Sequence, residues 1–245
     1  MNLNAPTYGI VNGAWGIADP NNQIAAGLLI PLFLCPSDRS QSLGPGYGVN
    51  ALGPANYVAN QGSGLTVTSQ GNQHGSPYNA DGVFYADSRI SMASITDGSS
   101  NTAAMSESLL GDGAEVAPGN TPPASPQRVY AYLTSYPSSM SDAACAAPSL
   151  WNNDRRRQFL WFSGEIRNSS YNHYYTPNSP NWDCITNAAA LGYTAIGWKA
   201  ARSLHSGGAN LLLADGAVRF VGQSIDLNTW RGLATRSGGE VLGDF

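Results

Sequence analysis

The segment Asn210–Phe220, Asn-Leu-Leu-Leu-Ala-Asp-Gly-Ala-Val-Arg-Phe, constrains the fold more than any other part of the chain. Two apolar runs flank Asp215-Gly216, a pair suited to the positive φ angles of a two-residue hairpin turn. A turn on those two residues places Leu213 opposite Val218 and Leu211 opposite Phe220 on one face of the ribbon. Asn210, Leu212 and Arg219 then fall on the other face. One face is strongly apolar and has to be buried. His205, Gly207 and Gly208 precede the ribbon, with nine residues between His205 and Asp215-Gly216.

A histidine and an aspartate suggest a metal pair, but strand geometry separates them. At roughly 3.3 Å per residue, Asn210 to Asp215 spans about 16 Å, whereas one ion holds its ligands within about 2–2.5 Å. Asp215 is therefore read as a turn residue that tolerates the left-handed region. His205 is expected to hydrogen-bond backbone at the hairpin base or to face a partner. The other histidines are His74, in a glycine-rich loop and expected to be solvated, and His173. His173 lies in an aromatic run, Tyr171 to Tyr175, suited to packing or to stacking on a ring. No G-x-S-x-G supports nucleophilic catalysis, and Asp81, Asp87 and Glu107 lack a glycosidase spacing signature. No CxxC or Cys/His cluster points to zinc. Asp97, Ser99 and Asn101 sit at the first, third and fifth positions of a calcium-like loop. Glycine is missing at the sixth position and glutamate at the twelfth, where Ser108 stands. A turn with side-chain-to-backbone bonds is favoured, and calcium is the one cofactor left open.

Only 11% of the 245 residues are charged, against about 25% in an average chain, and the net charge is -4. No basic footprint for nucleic acid exists. Lys199 is the single lysine, and Arg155-Arg156-Arg157 is expected to be a solvated turn or a local ion-pair patch. No apolar run reaches the ~18 residues of a membrane span, and the residues after Met1 do not form a signal peptide. Cys145 and Cys184, both in polar surroundings, are the candidate disulfide, which leaves Cys35 odd.

Along the chain, Asp19-Pro20 opens a short helix running to about Leu29, and Leu32–Cys35 reads as a strand. Asn56–Asn60, Gly82–Tyr85 and Thr102–Glu107 are further strands, and Ile90–Ile95 is one helical turn. Residues 129–133 fit strand or helix equally. Residues 138–187 read as an aromatic-rich insertion, and a last helix starts near Ile225. The expectation is a single α+β, β-rich domain over residues 1–245, with short helices and long irregular loops. Trp151, Trp161, Tyr174, Tyr175 and Trp182 are candidates for a glycan-stacking surface.

Several motifs occur in order: Phe33-Leu34-Cys35-Pro36-Ser37-Asp38, Asn56-Tyr57-Val58-Ala59-Asn60, Ile95 to Thr102 with Glu107, His205 to Asp215-Gly216, and Trp230 to Val241. Together they resemble a large bacterial family of uncharacterised function. Its members carry a prepilin-type cleavage and methylation segment at the N-terminus and an H-x9-DG processing-associated domain at the C-terminus. The match runs from about Leu28 to the end and is thinnest over the aromatic stretch. The resemblance implies a pseudopilin-like head with an antiparallel sheet, non-enzymatic and extracytoplasmic (cell-surface, periplasmic or secreted). It also implies a hydrophobic N-terminal helix, absent from this sequence, as the only membrane contact. Partners would be copies of itself or related pseudopilins. Cys35 would pair with a cysteine shortly after that helix. The alternative is a secreted carbohydrate-binding module using the aromatic surface.

Overall fold

The structure, a computed structural model, describes residues 20–39, 43–46, 49–65, 67–68, 71–72, 80–85, 88–111, 126–128, 130–133, 140–148, 150–152, 157–186, 196–243 and 245. It is α+β and β-rich, as expected. The helices are short: α1 (Pro20–Ala26), α2 (Asp142–Ala146) and α3 (Leu227–Gly232). The strands are β1 (Tyr57–Asn60), β2 (Val67–Thr68), β3 (Gly71–Asn72), β4 (Ala103–Glu107), β5 (Tyr130–Leu133) and β6 (Leu150–Asn152). They continue with β7 (Ser170–Tyr171), β8 (Cys184–Thr186), β9 (Gly197–Trp198), β10 (Gly208–Leu213) and β11 (Val218–Gly222).

One sheet has five strands in the order β11-β10-β4-β1-β7, and a second has four in the order β6-β5-β8-β9. The first is antiparallel except at its edge, where β7 runs parallel to β1. The second contains a parallel pair of its own, β5 with β8. Residues 138–187 are therefore not an appendage. They supply β7 to the first sheet and β6 and β8 to the second. Runs of two or three residues are too short for alternation to show, which is why no pattern betrays them. Leu32–Cys35 is also corrected. Pro31 opens a 3-10 turn, Pro31–Phe33, in which Leu34 N–H donates to the Pro31 carbonyl at 3.1 Å. Gly82–Tyr85 lies beside β1 without forming a strand.

The hairpin forms with a different register. Leu212 pairs with Val218, Leu211 with Arg219 and Asn210 with Phe220. Three residues, Ala214 to Gly216, make the turn. Gly216 N–H bonds the Leu213 carbonyl at 3.0 Å, and Leu213 N–H bonds the Ala217 carbonyl at 2.8 Å. Only Gly216 takes positive φ, at 92°. This is a type I turn closed by a left-handed residue, the usual three-residue solution. Adding one residue to the loop moves the second strand's side chains to the opposite face. Val218 and Phe220 accordingly end up 65% and 51% exposed, while Leu211 and Leu213 are buried.

The inner face packs Val58, Ala103, Tyr171, Leu211, Leu213 and Val221 against Trp230 and Leu233 of the α3 region. Asp226 caps α3, accepting from Asn228 N and Thr229 N at 2.9 Å each. The second sheet carries the Cys145–Cys184 disulfide, which joins α2 to β8 within a cluster of Tyr174, Tyr175, Ile196 and Trp198. It closes a loop with a sequence separation of 39. Reducing it should lower the free energy of unfolding by about 4 kcal/mol on the chain-entropy account. Urea unfolding of the oxidised chain against a Cys145→Ser/Cys184→Ser variant measures this directly.

Candidate functional site

The outer face of the five-stranded sheet carries two rows of side chains. Cross-strand pairing sets one row as Val218, Leu212, Met105 and Ala59. One step along, Phe220, Asn210, Glu107 and Tyr57 form the second. Glu107 ends β4 and is buried. Its Oε2 accepts from the Asn210 backbone N–H at 2.8 Å and its Oε1 from Asn210 Nδ2 at 3.2 Å. Asn210 thus grips the carboxylate from both ends. The neighbouring Tyr57 has its phenol pKa raised by burial first, and then by its electrostatic interactions with Cys35 and Glu107.

Cys35 reaches the same spot from the turn after Pro31. Its backbone N–H donates to Asn56 Oδ1 at 2.9 Å, and Asn56 Nδ2 donates to Asp38 Oδ2 at 2.9 Å and to the Ser108 carbonyl at 3.0 Å. Pro36 is the second residue of a tight turn in which Asp38 N–H bonds the Cys35 carbonyl at 3.0 Å. Asp38 in turn binds Arg128 at 2.8 Å and accepts from Leu110 N–H at 2.8 Å. Burial raises the Asp38 pKa, but Arg128 and the backbone donors outweigh it and hold the carboxyl below the usual range.

His205 closes the group. Its Nε2 lies 3.3 Å from Glu107 Oε1 and 3.7 Å from Cys35 Sγ. The thiol, carboxylate and imidazole atoms all lie within 4.8 Å of one another. Sequence reading found no Cys/His cluster because the three residues are scattered over 170 positions of chain. It expected His205 to meet backbone or a partner, whereas its ring meets side chains of the same chain. A relay of the Cys-His-carboxylate type needs the thiol at one imidazole nitrogen and the carboxylate at the other. Here both approach Nε2. One nitrogen cannot donate to the carboxylate and accept from the thiol together, so the arrangement is convergent rather than a relay.

The other candidates have structural employment. Asp215 is an exposed turn residue, as expected, with Oδ1 accepting from Ala217 N–H at 2.9 Å. Gly207 accepts from Gln223 N–H at 2.8 Å at the hairpin base. Gly208 has no room for a side chain, since a Cβ there would lie 2.1 Å from the Val221 carbonyl oxygen. Asp97 accepts from Gly238 N–H at 2.7 Å and Gly239 N–H at 2.9 Å. Asn101 donates to the Asp97 carbonyl, and the Ser99 carbonyl accepts from Asp215 N–H at 3.1 Å. These three residues clasp the chain's C-terminal segment and the hairpin tip instead of pointing at a common ion. Asp81 accepts from Ser63 N–H at 2.8 Å. His74 and Asp87 lie outside the described residues.

Two of the five aromatic candidates, Tyr174 and Tyr175, are interior. Tyr174 stacks on Trp198 at 3.6 Å between centroids, and its hydroxyl and that of Tyr175 reach Asp142. Both rings are buried, which removes them from any solvent-facing platform. Trp182 packs, half-buried, on the same cluster. Trp161 sits elsewhere, edge-on to Phe162, and donates to the Ala25 carbonyl at 3.1 Å. Trp151 lies in β6. His173 stacks on Trp230 at 3.6 Å and donates from Nδ1 to the Trp230 carbonyl, while Tyr171 donates to its Nε2 at 2.9 Å.

Of the two readings of the arginine triplet, Arg157 follows the ion pair and not the solvated turn. It is fully buried, 2.6 Å from Asp183, which also binds Arg202 at 2.8 Å. Lys199, the single lysine, is buried alongside and donates to Gln158 Oε1, the Ile166 carbonyl and the Asn168 carbonyl at 2.5–2.9 Å. Burial, then Arg157, draws its pKa well below the ordinary lysine value. Burial raises the Asp183 pKa, but the two arginines prevail and hold it low.

A family model described as "Protein of unknown function (DUF1559)" matches residues 1–228. The chain therefore belongs to this family. No curated protein and no solved structure matches it. Among the described residues, no helix is long and apolar enough to cross a membrane.

Two outcomes are expected. Burial lowers the His173 pKa from 6.5 to about 3, so the unfolded chain takes up a proton through that window and the folded chain does not. Stability contributed by neutral His173 is whole above pH 6.5 and declines by roughly 1.4 kcal/mol per pH unit as pH falls. The decline is missing from His173→Gln in urea titrations across pH. Asp183→Asn leaves two arginines buried without their counter-charge and should cost about 3–5 kcal/mol, measured by the urea midpoint at neutral pH.

Proposed function

We propose that the protein is a non-enzymatic, extracytoplasmic structural component, a pseudopilin-like head that associates with copies of itself. The observation that carries this reading is the outer face of the five-stranded sheet. It presents Val218 at 65% and Phe220 at 51% exposure on the edge strand β11, beside the half-buried Leu212 and Met105. Apolar side chains aligned on an edge strand favour association with another chain. The ordered motifs that resemble prepilin-type proteins point the same way. The Cys145–Cys184 disulfide suits an oxidising, extracytoplasmic compartment. Several motif polar groups hold backbone together, as Asn56, Asp97 and Glu107 do, which is the work of a scaffold.

Val218→Asp and Phe220→Asp place charges at exposed positions and should leave the fold intact. Each should weaken self-association roughly tenfold or more, since a buried aromatic or valine contributes about 1.5–3 kcal/mol. Sedimentation of the oxidised chain across concentration, with circular dichroism as the control for folding, reads the effect. A chain that stays monomeric at every soluble concentration, or assemblies indifferent to both charges, overturns the reading.

A further inference from the structure

We propose that Cys35 Sγ, Glu107 Oε1 and His205 Nε2 form a binding site for one divalent ion of the zinc class. The three atoms belong to three separate segments, the turn after Pro31, the end of β4 and the approach to β10. They converge within 4.8 Å of one another. Tetrahedral zinc, with bonds of about 2.3 Å to sulfur and about 2.0–2.1 Å to nitrogen and oxygen, sets the nitrogen–oxygen edge near 3.3 Å and the sulfur–nitrogen edge near 3.6 Å. The observed nitrogen–oxygen and sulfur–nitrogen separations are 3.3 Å and 3.7 Å, and the sulfur–oxygen edge, within 4.8 Å, has to close to the tetrahedral value as the ion binds. That both partners face the same imidazole nitrogen is what a shared ion requires.

The donor set selects the metal. Thiolate and imidazole favour zinc, cobalt and their neighbours over calcium and magnesium, which take oxygen alone. The supporting bonds are those of a held ligand shell. Asn210 fixes both oxygens of Glu107, Asn56 fixes the backbone of Cys35, and Ser203 Oγ accepts from His205 N–H at 2.9 Å. Cys35 and Glu107 are buried, whereas the His205 side chain is 33% exposed, so the ion enters past the imidazole. Three protein ligands leave the fourth position to water. Cys35 binds as thiolate and releases its proton to solvent. The ion would pin the Pro31 turn and the hairpin entry to β4, locking the sheet face from which Phe220 projects. It stands independently of self-association.

The test is cobalt(II) titration of the full chain, purified without air, with zinc as competitor. The expected result is one ion per chain with a thiolate-to-cobalt absorption band in the near ultraviolet, discharged by zinc. Cys35→Ser abolishes the band, and His205→Ala weakens binding at least tenfold. Should a variant fail to fold, the wild-type chain still decides: zinc should slow alkylation of Cys35 at least tenfold. A folded wild-type chain with neither band nor protection overturns the proposal. So does a band that survives Cys35→Ser, or Cys35 found disulfide-bonded to another cysteine in the native protein.

Discussion

The buried carboxylate of Asp183 is the joint on which the two sheets depend. It stands immediately before β8, beside the disulfide cysteine Cys184, and accepts from Arg202 and from Ala200 N–H. Arg157 binds the same carboxylate and reaches the Leu109 carbonyl and Ser108 Oγ, just past the end of β4. Arg202 bonds the Ser179 and Asn181 carbonyls, and its backbone N–H meets the Glu107 carbonyl at 2.8 Å. One acidic group therefore ties the second sheet to β4 and sets the path of the chain from Ala200 to His205. Two arginines on one carboxylate leave excess positive charge inside the protein. Backbone carbonyls pointed at the guanidinium groups offset part of it.

From that joint the position of the site follows. Arg202 anchors the segment to the end of β4, so His205, three residues on, comes down over Glu107. The Pro31 turn meets it from the other side, held by Asn56 at the start of β1. Residues 35, 56, 107 and 205 come from motifs that look like isolated structural markers in the sequence. In space they share one corner of the outer sheet face. A second group of motif residues, Asp97 and Arg236, does a different task. Arg236 donates to the Ala80 and Gly82 carbonyls at 2.7 Å, and Asp97 caps the Gly238-Gly239 backbone. Those contacts seal the sheet's far end with the C-terminal segment.

The parts of this fold that were legible in the sequence are those set by local chemistry. The short helix starting near Ile225, Asp215-Gly216 as a turn, the strands β1 and β4 and the pairing of Cys145 with Cys184 rest on neighbours or on simple counting. The errors arise where a distant contact decides. The hairpin register turns on whether two or three residues form the loop, and the edge position of β11 permits Val218 and Phe220 to face outward. The basic triplet reads as a solvated turn or an ion-pair patch, and because the partner Asp183 lies 26 residues away in sequence nothing local says that the Arg157 pair is buried. The Cys35, Glu107 and His205 convergence has no spacing signature at all, because ligands from three segments obey the topology of the sheet rather than a period in the chain. Tyr57 was invisible for the same reason: its neighbours Cys35 and Glu107 are fixed by strand pairing.

One corner of the outer sheet face gathers sulfur, oxygen and nitrogen around a single point. Anomalous diffraction at the zinc absorption edge, from crystals of the chain grown with zinc, measures this most directly. The account predicts one peak bonded to Cys35 Sγ at about 2.3 Å and to His205 Nε2 and Glu107 Oε1 at about 2.0–2.1 Å. A peak elsewhere, or Cys35 and His205 lying on different surfaces, would contradict it.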